Sequence, residues 1–214
     1  MTVVSLLVGV VAIVNVAAIP NDLAYISSLE SIIDGDLSVI ADLEDQEDLR
    51  SSFGVLSLVS LIAAGVAWVM WQQRARSNAA ALGAGGQRHT NALAAASWIV
   101  PIANFFLPKQ VTDDLWRGSD PEAPRVFNVQ GRPVWSIVNV WWALWIVGGL
   151  LGRFLLRTEP VDDISEVDEL VRDVRLEIFS QVLVVVAAVL AIMIVRRVTE
   201  RLAVRATNAS TQLT

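Results

Sequence analysis

Trp98-Ile-Val-Pro-Ile-Ala-Asn104-Phe-Phe-Leu-Pro108 decides the topology of this chain, because it is hydrophobic yet too short and too broken to cross a bilayer comfortably. The 17 residues from Ala92 to Pro108 would reach roughly 25 Å as a helix, against a hydrocarbon core of about 30 Å. Pro101 also removes a helix hydrogen bond midway. Residues 92–108 therefore read as a re-entrant or interfacial element and not as a span. Non-helical backbone at membrane depth is tolerated only where protein covers it or a wet cavity lines it, so this reading requires neighbouring spans to shelter it.

Working outward, four apolar stretches can supply that shelter: residues 2–20, 52–71, 134–152 and 178–195. Each approximates the ~20 residues a bilayer requires, and the first three hold no charged residue before Arg153. With 54 % hydrophobic residues and the charge gathered in a few loops, the expected fold is an all-α membrane protein. It comprises a single integral membrane domain over 1–214, with four transmembrane helices. The first stretch has no Lys or Arg ahead of it and only a poor cleavage-like Val16-Ala17-Ala18, so it reads as an anchor more readily than as a signal peptide.

Orientation follows from the basic residues alone, since Arg and Lys stay on the cytoplasmic side. With four spans and the N-terminus inside, eleven basic residues lie inside, among them Arg74, Arg76, Arg88, Lys109, Arg117, Arg125 and Arg132. Five lie outside: Arg50, Arg153, Arg157, Arg172 and Arg175. A fifth span at 92–108 would leave seven inside and nine outside. Four spans with both termini cytoplasmic are therefore expected, in the plasma membrane of a bacterium. The excess of Arg over the single Lys109 is read as a trace of nucleotide composition.

The two outer loops are acidic. Residues 21–50 carry nine carboxylates against one Arg, and 157–177 carry eight against three. In the first loop Leu23, Ile26 and Ile33, then Leu37, Ile40 and Leu43, suggest two short amphipathic helices broken at Asp34-Gly35-Asp36. In the second, Ile164, Val167, Leu170, Val171, Val174 and Ile178 fit a last helix that starts near Pro160 to Asp163 and projects outward. These stripes are expected to pack together as an external cap, with a basic partner or divalent cations as candidate ligands for its charge. Asp34, Asp36, Ser38 and Asp42 match a calcium loop only in part, because Val39 stands where Gly is needed and Asp45 where Glu is expected. A solvated acidic face is the simpler reading.

From Trp68 onward a family becomes visible. Trp68-Val-Met-Trp71-Gln-Gln-Arg74-Ala-Arg76-Ser-Asn78, Leu82-Gly83, then Trp98-Ile-Val-Pro101-Ile-Ala-Asn104 with Pro108 and Asp114-Leu115-Trp116, then Trp141-Trp142-Ala143-Leu144-Trp145, resemble the DUF4328 family of bacterial, chiefly actinobacterial, membrane proteins. The motifs cover about residues 68–150. The resemblance implies a multi-pass envelope protein and carries no established chemistry with it.

The candidate structural or interaction residues are Asn78, Trp98, Pro101, Asn104, Pro108, Trp116, Trp141 and Trp142. Asn78 either hydrogen-bonds the broken backbone near Pro101 or is an ordinary exposed residue before the Gly83 terminator. Pro101 and Asn104 either bind a substrate or ion, as broken membrane elements do in transporters, or form a wedge in which Asn104 satisfies local backbone. After Pro108, Val111, Leu115 and Trp116 are expected to face the membrane while Asp113, Asp114 and Arg117 face water. Trp135 suits the interface, whereas Trp141, Trp142 and Trp145 sit deeper. There they contact a ligand such as a quinone or lipid tail, or simply pack, the second being the more economical. Small-residue spacings at Ser60-Ala64, Gly148-Gly152 and Ala187-Ala191 allow close helix approach, within the chain or to a membrane-protein partner or second copy.

Cysteine is absent and His89 is the single histidine, which excludes disulfides, thiolate chemistry and Cys/His zinc sites within the chain. No cofactor, metal or nucleic acid is expected. The expected role is a non-enzymatic structural or accessory subunit of a membrane complex. The alternative is a small channel or transporter using the Pro101/Asn104 element, and an enzyme relying on His89 and Asp113 is the weakest reading.

Overall fold

The computed structural model describes residues 2–134, 136–155 and 167–211. The expected interfacial Trp135 and the helix start at Pro160 to Asp163 lie outside them. The described chain is all-α apart from one two-residue pairing. Its helices are α1 (Val3–Ile33), α2 (Ile40–Ala81), α3 (Asn91–Ala96), α4 (Leu107–Gly118), α5 (Ser136–Leu155) and α6 (Val167–Thr211). Strand β1 (Ala84–Gly85) pairs in parallel with β2 (Phe127–Asn128).

Among the described residues, three helices are long and apolar enough to cross a membrane: α1, the stretch Leu37–Ala81 that contains α2, and α6. The apolar helix Ser136–Gly152 is shorter. Helices α1, α2 and α6 run well past the expected spans. At 42 and 45 residues, α2 and α6 measure about 63 and 68 Å, twice a hydrocarbon core. The sequence reading separated spans from short loop helices; here each span and its neighbouring amphipathic stretch form one helix. Pro20 lies inside α1 without ending it.

The break between α1 and α2 falls at Asp34-Gly35-Asp36, as the turn residues indicate. Gly35 takes φ +90°, a left-handed conformation that glycine adopts at least cost. Its amide bonds Ile32 O at 3.0 Å and the Asp36 amide bonds Ser31 O at 2.9 Å, the two bonds of a Schellman terminus. Asp36 then caps the next turn. Its Oδ1 accepts from the Ser38 amide at 3.0 Å and the Ser38 hydroxyl at 2.6 Å, and these bonds hold its carboxyl below the usual carboxylate range. That single 3-10 turn, Leu37–Val39, leads directly into α2.

The contacts divide the chain into two compact units: 1–7, 63–142 and 190–214 form unit 1, and 8–62 with 143–189 form unit 2. In unit 2, Tyr25, Ile26 and Leu29 of α1 bury against Val167, Val171 and Val174 of α6, with Leu43, Leu170 and Ile178 at the margin. The expected packing of stripes is met in part: Ile26 and Leu43 join the second-loop stripe, whereas Leu23, Ile33, Leu37 and Ile40 are exposed, and Ile164 lies outside the described residues. Arg50 lies beside this cluster with its guanidinium 4.4 Å from the Tyr25 ring centroid. It donates through Nε to Asp22 Oδ1 at 2.9 Å and through Nη2 to Glu177 Oε2. Gln181 Nε2 donates to Asp22 Oδ2 at 2.7 Å. Small residues let α5 approach α6: a Cβ on Gly148 would sit 3.6 Å from Leu183 Cβ, and Ser180 Oγ donates to Gly148 O. Ser60, Ala64, Ala187 and Ala191 are likewise buried within the chain.

Candidate functional site

Four tryptophans of the motifs meet in unit 1. Trp68 of α2 stacks on Trp141 of α5 with centroids 5.1 Å apart and an interplanar angle of 27°. Trp98 stands edge-on to Trp68 and to Trp142, at 6.3 Å from each. Offset and edge-to-face contacts of this kind add about 0.5–1.5 kcal/mol each beyond the area they bury. A polar thread leaves the cluster. Trp98 Nε1 donates to Gln72 Oε1 at 3.3 Å, Gln72 Nε2 to Thr112 Oγ1 at 3.2 Å, and Thr112 Oγ1 to Pro108 O at 2.9 Å. Gln72 and Thr112 are fully buried, so the thread ties α2 to α4 where water cannot compete.

Helix α4 is buried nearly all round, which corrects the surface-helix reading. Trp116 is covered, with the Arg201 guanidinium 4.8 Å from its ring centroid. Asp113 and Asp114 are buried too, at 6 % and 1 % exposure. An acid is tolerated there only when paired, and Asp114 is paired thoroughly. It accepts from the Arg88 amide at 2.9 Å, from Arg88 Nε at 3.0 Å and Nη2 at 2.8 Å, and from Arg117 Nη1 at 3.5 Å. Asp113 takes Lys109 Nζ at 2.6 Å through Oδ2, while its Oδ1 is buried without a partner.

Arginines clamp the two loops beside α4. Arg205 Nη1 donates to Asp120 O and Ala123 O, and its Nη2 to Leu82 O and Pro124 O. Arg132 and Arg201 both pair with Asp120, at 2.6 and 3.4 Å. A planar guanidinium with donors on a fixed fork can span several carbonyls at once, which an ammonium cannot. The Arg bias read from the sequence as compositional thus has a structural use here. Glycine closes the same region: Gly83 takes φ +90°, and a Cβ there would stand 1.8 Å from Arg125 O.

The model of the domain of unknown function DUF4328 matches residues 36–200. The chain belongs to the DUF4328 family. No curated protein and no solved structure matches it.

Of the residues singled out in this DUF4328 protein, Trp98, Trp141 and Trp142 share the aromatic cluster, and Pro108 and Trp116 lie on α4 beside it. Pro101 does not join them. It is exposed in a run of turns between α3 and the 3-10 turn Ala103–Phe105, and its neighbours Ile99, Ile102 and Phe106 are 83 %, 78 % and 63 % exposed. Asn104 is half-buried, and its Oδ1 is buried without a hydrogen-bond partner. Asn78 is exposed on α2, and its carbonyl accepts the Leu82 amide. Sequence reasoning did not reach Trp68 and Gln72 as core partners, Asp114 as a buried hub, or Arg76 as a buried cation. The α2 period carries a signal for part of this: residues 64, 68, 72, 75, 76 and 79 fall on one face, and all are buried.

Proposed function

We propose that this protein is a multi-pass component of a bacterial plasma membrane with a non-enzymatic, structural or accessory role, crossing four times with both termini cytoplasmic. In this reading α1, α2, α5 and α6 provide the spans, the basic loops around residues 74–90 and 117–132 lie inside, and the acidic loops lie outside. The bilayer is its solvent, and another membrane protein or a second copy is its partner.

One observation carries the reading: a tightly braced unit presents an unsupported apolar edge. Asp113, Asp114 and Asp120 are each taken up by internal cations, and Arg205 is engaged by loop carbonyls. Ile99, Ile102 and Phe106 project from this unit with no cover. Apolar side chains on a short turn suit insertion into the headgroup and acyl boundary, whereas a pore-lining element would need shelter. Helix α2 adds a second uncovered strip, with Val55, Leu58, Val59, Ile62 and Val66 between 57 and 62 % exposed.

The test is photo-crosslinking in living cells from positions Ile102 and Val59. A discrete protein adduct from Val59, with lipid adducts from Ile102, supports the accessory role. Lipid adducts alone at both positions contradict it. A cysteine at Asn104 that water-soluble thiol reagents label, with protection by a small solute, would instead favour the transport alternative, for which the unpartnered Asn104 Oδ1 is the supporting observation.

A further inference from the structure

Between β1 and α3, beside α2, an open hollow of about 490 Å3 is walled by Arg76, Gly86, Gln87, Thr90 and Asn91 among others. That volume lies within the range of small-molecule sites. Arg76 is 2 % exposed. Its Nε donates to Asn91 Oδ1 at 3.3 Å and its Nη2 to His89 O, while Nη1 is buried without a partner. Among the described residues Arg76 joins no ion pair, and the acid whose field reaches it, Asp114, is already taken by Arg88 and Arg117. A guanidinium removed from water is stable only when a compensating charge is supplied. The wall offers none: beyond Arg76 it contains hydroxyls, amides, two alanines, backbone and His89, and no Asp or Glu. Glycine keeps that backbone close, since Gly86 takes φ +75° and a Cβ there would stand 2.2 Å from Asn128 Oδ1.

We propose that this hollow binds a phosphate group, for which Arg76 supplies the fixed positive charge. A guanidinium fork matches phosphate oxygens in geometry as well as sign. The carrier is an anionic phospholipid headgroup or a soluble phosphate compound. Arg76 follows closely on Trp71, where the apolar stretch of α2 ends, so a headgroup is within reach of a protein seated in a membrane. The site goes beyond the accessory reading and does not depend on it.

The full chain, purified in an uncharged detergent, is followed by tryptophan fluorescence on heating. Inorganic phosphate is expected to raise the Tm by roughly 3–6 °C at about ten times its Kd, relative to chloride at equal ionic strength. The same comparison in phosphatidylcholine nanodiscs with and without phosphatidylglycerol separates the sources. A response to the lipid alone identifies a headgroup, and a response to free phosphate identifies a soluble ligand. Arg76→Gln should remove the response. Because that variant can also fail to fold, Asn91→Asp provides the second test: it keeps Arg76 and places a carboxylate on its Nε, so it should raise the basal Tm and abolish the gain from phosphate. A wild-type Tm that follows neither probe beyond its control overturns the proposal, as does an Asn91→Asp variant that responds like wild type.

Discussion

Replacing Asp114 with Asn isolates the charge at the centre of unit 1 while preserving its shape. The Asp114 side chain is fully buried, and Arg88 and Arg117 reach it with 30 % and 18 % of their own side chains exposed. Removing one partner of a fully buried pair costs about 3–5 kcal/mol, because the other charge is left without compensation. Water recovers part of that here through the exposed edge of Arg88, and the Asn carbonyl still accepts the Arg88 amide. The expected loss is roughly 2–4 kcal/mol. For a chain of this size each kcal/mol moves the Tm by about 2–4 °C, so Asp114→Asn should lower it by roughly 5–15 °C. Asp113→Asn is the internal comparison. Asp113 has a single cation, Lys109, which is 28 % exposed and one turn away on the same helix, against two on Asp114, so its loss should be the smaller, about 1 kcal/mol. The assay is tryptophan fluorescence on heating in mild detergent, repeated in 1 M salt. Screening at about 3 Å should leave the Asp114 effect in place, since no ions enter a buried pair. Equal losses for the two variants, or an Asp114→Asn effect erased by salt, would refute the reasoning.

Other consequences can be checked by the same assay. Gly83→Ala should destabilise severely, because its Cβ would overlap Arg125 O, while Gly35→Ala, with the same φ of +90° and open space around it, should cost only about 1 kcal/mol. Asn104→Leu should change stability by less than about 1 kcal/mol, since Asn104 Oδ1 makes no hydrogen bond that the change would break; a larger loss would show an unseen partner. Neutralising Asp42, Glu44, Asp45, Glu47 and Asp48, all exposed, should leave the Tm unchanged and weaken co-purification of any basic partner, as added salt should. Recovery indifferent to both would mean that this face is only solvated.

The legible parts of the fold were those encoded by near neighbours. The Gly35 turn follows from three consecutive residues, and the stripe of Val167, Val171 and Val174 follows from helical period, so both were readable before any contact was known. The length of α1 was not, because Pro20 looks like an end when only local rules are applied. At the site, the tryptophan-rich span brought out Trp141 and Trp142, and the motif around Pro101 brought out Trp98. The burial of Asp114 was hidden because an acid belongs in water by default, and the residue that compensates its burial, Arg88, lies across a loop in another segment. Arg76 was hidden for the same reason in mirror image: it reads as a positive-inside residue, and only the fold covers it.

The claim most exposed to test is that residues 91–118 turn back on the side from which they came. Helix α3 has six residues, about 9 Å, far short of a membrane. An alkaline phosphatase fusion after Gly118, expressed in bacterial cells, is expected to be inactive, with a fusion after Gly35 active. Activity after Gly118 would contradict the account and make the segment around Pro101 a fifth crossing.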